Sequence, residues 1–230
     1  MNADSENGFH QFVYETMPYR FFIPENLEKE KKYPLLVHFH GAGSRGNDNL
    51  KQIAWVKLFA EKGMQKNNPC FIVAPQCPAE KRWVDTDWHL PKHEMPAITH
   101  EMMMAVEIIS GVIAENPVDT ERIYLTGQSM GGFAVWDILC RKPELFAAAV
   151  PVCGGADETK AGLIKDIPVW AFHGAKDKTV DVTRSRNIIE ALRKAEGNPR
   201  YTEYEDVAHN AWEFAYSENG LSEWLFQQKK

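Results

Sequence analysis

A serine lies at the centre of a glycine-rich turn, Gly127-Gln128-Ser129-Met130-Gly131. The turn follows an apolar run typical of a buried strand and precedes a stretch with helical spacing. A Gly-x-Ser-x-Gly pattern between a strand and a helix is that of a nucleophile elbow, which exposes the serine hydroxyl above the sheet. The first amides of the next helix then point at the same place. Ser129 is therefore the candidate nucleophile.

A serine hydroxyl becomes a good nucleophile only when a base accepts its proton and a third group orients that base. Two histidines follow Ser129 along the chain. His173 falls within a predicted strand, where we expect it to pack or to form hydrogen bonds locally. His209 follows the last predicted strand, on a loop from which a base can reach the serine. We therefore predict that His209 is the base.

The orienting acid is predicted to be Asp177, which follows the predicted strand ending at Gly174. That position is the carboxyl end of a strand, where open α/β sheets place their sites. Asp181 fits better as the cap of the next helix. Asp157 and Glu158 lie beyond the preceding strand and are weaker alternatives.

Acyl transfer also needs backbone amides aimed at the negative oxygen that develops during the reaction. One donor is expected to be the amide of Met130, the residue after the nucleophile. The other is expected from the small-residue turn that follows the strand ending at His40. We favour Ala42 there and keep Gly43 open.

Strands that alternate with helices predict an α/β fold, with a mostly parallel sheet, helices on both faces and an N-terminal antiparallel hairpin. The hairpin is predicted to turn at Met17-Pro18, and a helix over residues 53–62 is predicted to end at Gly63. Residues 77–97 lack a clear period and are predicted to form a loop or partial lid, within a single domain over residues 1–230. The strands are predicted at residues 12–15, 19–23, 33–40, 70–75, 122–125, 147–152, 167–174 and 201–205.

The composition, 44% hydrophobic and 25% charged, is that of an ordinary soluble globular protein. The net charge of -6 gives no electrostatic reason to bind nucleic acid or an anionic membrane.

No apolar run reaches the length of about 18 residues that a membrane span needs. The polar start does not resemble a secretory signal peptide. A signal peptide that was removed from a position upstream of this sequence is an alternative that stays open. The four cysteines are scattered, and Cys70, Cys140 and Cys153 lie in apolar surroundings that indicate free core thiols and a cytoplasmic setting. The sequence indicates no oligomeric state.

These motifs together resemble the α/β-hydrolase superfamily, in its carboxylesterase, phospholipase-like and polyhydroxybutyrate-depolymerase-like esterase group. The resemblance covers nearly the whole chain, from about residue 19 to residue 226. It implies ester hydrolysis through an acyl-serine, without a cofactor or a metal and on a small-molecule ester substrate. The triad that it implies consists of Ser129, Asp177 and His209.

Related chemistries can be weighed by residue type. A dienelactone hydrolase would carry cysteine at the nucleophile position, and a dehalogenase would carry aspartate. A metal site at His89, His93 and Glu94 is disfavoured, because Pro91 opposes the helix that would align them. A peptidase of the prolyl-oligopeptidase type and a non-catalytic relative stay open. The first normally carries a large gating domain or an N-terminal extension, and the second would usually lack a triad member.

The identity of the ester is the least determined feature. Trp83 and Trp88 in the loop, Gln128 beside the nucleophile and Trp212 beside the base are the candidate pocket residues. Aromatic walls suit an apolar acyl group, an aromatic acid or a sugar face about equally. The short loops elsewhere leave no obvious lipase-type lid, so short-chain or soluble esters are favoured, possible aromatic or carbohydrate esters included.

Overall fold

The computed structural model of the protein describes residues 8–230, and most of the polar start considered above lies outside them. The strands within these residues are β1 (Phe9–Tyr14), β2 (Met17–Phe22), β3 (Tyr33–Phe39), β4 (Phe71–Pro75), β5 (Val118–Gln128), β6 (Ala148–Val152), β7 (Trp170–Gly174) and β8 (Arg200–Tyr204). They form one sheet in the order β1-β2-β4-β3-β5-β6-β7-β8. The strands from β4 to β8 in this order pair in parallel, whereas β1 pairs with β2, and β2 with β4, in antiparallel fashion. The predicted α/β class and its N-terminal hairpin are confirmed.

Helices cover both faces of this sheet. They are α1 (Lys62–Asn67), α2 (His100–Glu115), α3 (Met130–Arg141), α4 (Ala161–Ile164), α5 (Thr183–Lys194), α6 (Trp212–Ala215) and α7 (Leu221–Gln227). The central strand β3 is buried throughout because its side chains alternate between two hydrophobic clusters. Leu35, Val37 and Phe39 pack with residues of α2 and α3 on one face. Leu36 packs on the opposite face with residues of α7.

The opening hairpin turns two residues earlier than the predicted Met17-Pro18. The ladder pairs Tyr14 with Met17, so the turn consists of Glu15 and Thr16. Glu15 adopts a φ of 51°, in the left-handed region that tight hairpin turns use. Met17 is fully buried and is the first residue of β2. Its burial keeps it in the strand, although the next residue is a proline.

The helix predicted over residues 53–62 is wrong. The chain forms two 3-10 segments there, Lys51–Ile53 and Val56–Ala60, before α1. The buried side chains Ile53, Val56 and Phe59 recur every three residues, which is the repeat of a 3-10 helix. Gly63, predicted to stop the helix, lies inside α1 instead.

Residues 77–97 contain neither helix nor strand, as predicted. The loop is nevertheless held to the body of the protein at several points. The Met95 N–H donates to Asp157 Oδ2 over 2.9 Å, and the Arg184 guanidinium contacts the ring of His93. Trp83, a residue of the loop, has a fully buried side chain.

Among the helices of residues 8–230, none combines the length and the apolar character that crossing a bilayer requires. All four cysteines are buried and free, which confirms the prediction for Cys70, Cys140 and Cys153. Burial raises the pKa of Cys70, Cys77 and Cys140 to about 12, so these thiols are protonated at neutral pH.

His38 in β3 makes the fold sensitive to acid. Its side chain is fully buried, and neither ring nitrogen has a hydrogen-bond partner among residues 8–230. Burial, with a smaller contribution from His40, lowers the pKa of His38 to about 3. The unfolded chain binds a proton on His38 below about pH 6.5, the pKa of an unperturbed histidine, whereas the folded protein does not. The free energy of unfolding therefore has its full value above that pH and decreases as the pH falls from 6.5 towards 3.

We predict that His38→Leu raises the free energy of unfolding and that the gain is larger at low pH. The unpaired ring costs about 1–3 kcal/mol at neutral pH, and the linkage adds on the order of 2 kcal/mol between pH 7 and pH 5. Urea unfolding of both proteins at the two pH values measures this. An equal difference at pH 7 and pH 5 would contradict the assignment.

Candidate active site

The candidate nucleophile lies on the single residue between a strand and a helix. β5 ends at Gln128 and α3 begins at Met130. Ser129 adopts φ 56° and ψ −121°, a conformation that non-glycine residues rarely adopt. Its N–H donates to Val152 O over 2.9 Å, and its carbonyl accepts from the Phe133 N–H over 3.1 Å. These two bonds hold the strained residue from both sides.

The glycines of the turn are required by close packing rather than by positive φ. A Cβ on Gly131 would lie 1.9 Å from the carbonyl oxygen of Phe39, and one on Gly127 would lie 2.6 Å from the same oxygen. No side chain fits there, because the end of β3 passes directly against the elbow. The glycines therefore bring the loop after β3 beside the nucleophile.

The three candidate catalytic side chains form one hydrogen-bonded chain. Ser129 Oγ lies 2.8 Å from His209 Nε2, and His209 Nδ1 lies 2.7 Å from Asp177 Oδ2. A carboxylate can only accept, so Nδ1 carries the hydrogen and Nε2 is left to accept from the serine. His209 lies on the loop after β8, and Asp177 lies just after β7. The structure thus brings together the three residues predicted from sequence.

Asp177 is buried, yet it is held in its charged form. Its Oδ1 accepts from the N–H groups of Thr179 (2.8 Å) and Val180 (3.0 Å). Burial alone would raise its pKa, but hydrogen bonds from His173, His209 and Val180 outweigh burial and hold the pKa of this carboxyl well below its usual range. A charged acid at neutral pH suits the role of orienting a histidine.

The competing residues have other partners. Asp181 Oδ1 accepts from the N–H and hydroxyl of Thr183, the first residue of α5, although the N-cap position itself is Val182. Asp157 accepts from Met95 and Thr159. His173 is fully buried in β7 and bonds locally, as the sequence predicts. Its Nδ1 lies 2.7 Å from Ser185 Oγ, and its Nε2 lies 2.9 Å from Val180 O and 3.2 Å from Asp177 Oδ2.

The loop after β3 runs beside the nucleophile. A Cβ placed on Gly41 would lie 3.5 Å from Ser129 Cβ. In the part of the chain that the structure describes, the N–H groups of Ala42, Gly43 and Met130 have no hydrogen-bond acceptor. All three amides are therefore available to an anionic oxygen, and the choice between Ala42 and Gly43 stays a prediction.

Two of the pocket predictions are wrong. Trp83 is fully buried and Gln128 is only 3% exposed, so neither presents a surface to a substrate. Trp83 packs against Phe39 and His40. Gln128 Oε1 accepts from the Tyr216 hydroxyl over 3.3 Å.

The other two candidates keep accessible surface. Trp88 is half-buried and lies under the Arg82 guanidinium. Trp212 is half-buried, with its ring centroid 5.1 Å from that of His209. Trp55 packs edge-on against Trp212 at 6.3 Å, an aromatic neighbour that sequence reasoning missed because only the fold brings it there.

Cys153, His173 and Asp177 form the group whose donor atoms lie close enough together to hold a metal ion, among the residues described. Their donors are already engaged by the protein. Both His173 nitrogens have protein partners, and Asp177 binds His209. Burial, followed by the charge of Asp177, raises the pKa of the Cys153 thiol above its usual range. This donor set does not fit a metal ion.

Comparison with known proteins gives related esterases. The family model described as Phospholipase/Carboxylesterase matches residues 25–217. A bifunctional acetylxylan esterase/xylanase of Neocallimastix patriciarum is 24% identical over 75% of this chain. An uncharacterized secreted protein of Arthroderma benhamiae is 25% identical over 86% of it. The crystal structure of a thermostable esterase is 37% identical, with a TM-score of 0.90, over 97% of this chain.

These relatives are longer than the present chain. The aligned part makes up 23% of the length of each of the two curated relatives. It makes up 64% of the thermostable esterase.

We predict that Gly131→Ala disrupts the elbow, because the added methyl group would overlap the Phe39 carbonyl oxygen. The expected cost is above about 3 kcal/mol of unfolding free energy, or failure to fold. Gly111→Ala in α2 is the matched control, since a Cβ there meets nothing within 4 Å. The control should gain up to about 1 kcal/mol. Chemical denaturation compares the two, and a fully stable Gly131→Ala protein would refute the packing argument.

Proposed function

Because this chain belongs to the phospholipase/carboxylesterase family, we propose that it is a serine carboxylic-ester hydrolase that works through an acyl group on Ser129. The observation that carries the proposal is the unbroken chain of hydrogen bonds from Ser129 through His209 to Asp177. A nucleophile, a base and an orienting acid in this order are what acyl transfer by serine requires.

In the first half of the reaction, His209 Nε2 accepts the hydroxyl proton while Ser129 Oγ attacks the ester carbonyl carbon. The carbonyl oxygen becomes negative and accepts hydrogen bonds from the amides of Met130 and Ala42. His209 then gives its proton to the departing alcohol as the carbon–oxygen bond breaks, which leaves an acyl-serine. In the second half, water enters in place of the alcohol, and His209 Nε2 accepts a proton from it as the water oxygen attacks the acyl carbon. His209 then gives that proton to Ser129 Oγ as the bond between Oγ and the acyl carbon breaks and the acid leaves.

Asp177 supports both halves without exchanging protons. Its negative charge stabilises the positive imidazolium that forms on His209 in each transition state. Its hydrogen bond also fixes the tautomer in which Nε2 is free to act as base. The backbone bonds from Thr179 and Val180 hold the carboxylate in place while the charge on His209 changes.

For the substrate, we favour short-chain or soluble esters of aromatic or carbohydrate compounds. The departing alcohol must lie next to His209, which protonates it, and the half-buried ring of Trp212 lies beside that histidine. Aromatic rings bind sugar faces and aryl groups well. A relative that is named as an acetylxylan esterase fits a carbohydrate ester.

Two other functions compete with this proposal. A peptidase of the prolyl-oligopeptidase type would use the same elbow and triad, so turnover of an aminoacyl amide discriminates it. A non-catalytic relative would usually lack a triad member, whereas Ser129, His209 and Asp177 are all present and bonded.

We also propose a cytoplasmic setting, on the ground of four free buried thiols. Against this stands the relative described as secreted.

We predict that Ser129→Ala abolishes hydrolysis of short p-nitrophenyl esters, with a loss of about 10⁴-fold or more in kcat. Ser110→Ala is the control, because the exposed Ser110 hydroxyl on α2 donates to Val106 O and has no other partner in the described part of the chain. Steady-state assays on p-nitrophenyl esters and an aminoacyl p-nitroanilide compare the proteins. Amide turnover that exceeds ester turnover favours the peptidase, and no turnover by the folded wild-type protein would refute the proposal.

We predict that Trp212→Ala changes the preference among alcohol groups more than the preference among acyl groups. Loss of the ring should lower kcat/KM for aryl acetates relative to methyl acetate by about tenfold, the effect of one lost aromatic contact. Trp224→Ala is the control, since Trp224 packs against Trp170 at the first residue of β7, whereas Asp177 follows the last residue of that strand. An unchanged ratio in Trp212→Ala would argue against a leaving-group site at this ring.

A further inference from the structure

Trp83 lies where its indole can act on the loop after β3. Its side chain is fully buried, and its Nε1–H donates to the backbone carbonyl of His40 over 3.2 Å. Its ring packs edge-on against Phe39 and His40, with centroids 5.1 and 5.3 Å away. The Trp83 carbonyl in turn accepts from the Thr99 hydroxyl over 2.7 Å, which holds the residue at the start of α2.

The hydrogen bonds of His40 fix its tautomer. Its Nε2 lies 2.9 Å from the backbone nitrogen of Cys77, and an N–H can only donate. Nε2 therefore accepts, and the hydrogen of the neutral ring must be on Nδ1, which lies 2.7 Å from Gly41 O. Burial lowers the pKa of His40 to about 4, so the ring is neutral at pH 7.

The carbonyl of Gly41 and the N–H of Ala42 belong to one peptide plane. In a trans peptide these two groups point in opposite directions. The Gly41 carbonyl accepts from His40 Nδ1 and also from the Ser44 N–H over 3.0 Å. Two donors on one side thus fix the direction of the Ala42 N–H on the other side, where it has no protein acceptor among the residues described.

We propose that Trp83 and His40 are positioning residues that hold the His40-Gly41-Ala42 backbone so that the Ala42 amide faces the developing oxyanion. The inference rests on the proposed ester hydrolysis and assigns the second oxyanion donor to Ala42. It also gives the 77–97 loop a part in the reaction, since the loop supplies both Trp83 and the Cys77 N–H. Neither side chain contacts substrate, because both are fully buried.

Packing alone does not account for these polar groups. The fold elsewhere buries an indole without a partner, since Trp136 Nε1 has no hydrogen bond to any of residues 8–230 and its ring is fully buried. Trp136 therefore provides a matched comparison with Trp83. The two indoles are buried equally and differ in whether the N–H is used.

The test is Trp83→Phe, which keeps an aromatic ring and removes the N–H donor. We expect kcat on a p-nitrophenyl ester to fall about tenfold, a fraction of the effect of losing a whole oxyanion donor. KM should stay within about twofold, because the bond acts on the transition state. The inhibition constant of phenylboronic acid, which forms a tetrahedral adduct on a catalytic serine, should rise in parallel with the loss of kcat.

Trp136→Phe is the control, because it also replaces a fully buried indole by a smaller phenyl ring. It should leave kcat and boronate affinity unchanged. His40→Asn provides a second variant, because the Asn Nδ2 can replace the Nδ1 donor to Gly41 O. It should retain more kcat than His40→Phe, which has no donor.

Distinct outcomes overturn distinct claims. Wild-type kcat and boronate affinity in Trp83→Phe, or equal losses in Trp83→Phe and Trp136→Phe, would overturn the positioning role. A wild-type protein that hydrolyses no ester would overturn the proposed function instead. Circular dichroism and thermal unfolding of each variant separate loss of positioning from loss of fold.

Discussion

The close approach of two backbones, at the Phe39 carbonyl and Gly131, sets the geometry of the candidate site. The carbonyl oxygen occupies the space in which any other residue at position 131 would place its Cβ. This contact brings the end of β3 against the start of α3, so that the loop carrying Ala42 lies beside Ser129. An oxyanion site made by two separate loops depends on their fixed distance, since misplacement by about 1 Å can cost two orders of magnitude in rate.

The same region shows how buried polar groups impose a single arrangement. Asp177, His40 and Trp83 each lie out of contact with water and satisfy hydrogen bonds that leave little freedom to the backbone around them. Such groups are costly when unpaired, so alternative conformations of these loops are disfavoured. His38, one strand position from Phe39, bears that cost without a partner among the residues described. Protonation of His38 therefore destabilises the fold close to the candidate active site, although His38 has no part in the proposed reaction.

The sequence predicts the parts of the site that are fixed by local pattern and strand order. Ser129 has the strand-turn-helix signature, and Asp177 and His209 follow strands in the order that a parallel sheet brings to one edge. It does not predict what tertiary contacts decide. Trp83 is an aromatic residue in the loop predicted to line the pocket, but its ring is buried against Phe39 and His40. Trp55 is distant from Trp212 in the sequence, and only the fold brings the two rings together. The helix predicted over residues 53–62 is replaced by 3-10 segments in which Ile53, Val56 and Phe59 are buried at a spacing of three residues. A short window of sequence does not separate a repeat of 3.0 from one of 3.6.

The most direct test of the account is to trap the acyl group on the chain. A p-nitrophenyl carbamate transfers its carbamoyl group to a catalytic serine, and the resulting carbamoyl-enzyme hydrolyses slowly. Absorbance and peptide mass spectrometry then measure the released nitrophenol and the labelled residue together. We expect about one nitrophenol to be released per chain, with the carbamoyl mass on Ser129 and no further ester turnover until the carbamoyl group is removed. A label on any other residue, or continued ester hydrolysis by chains carbamoylated on Ser129, would contradict it.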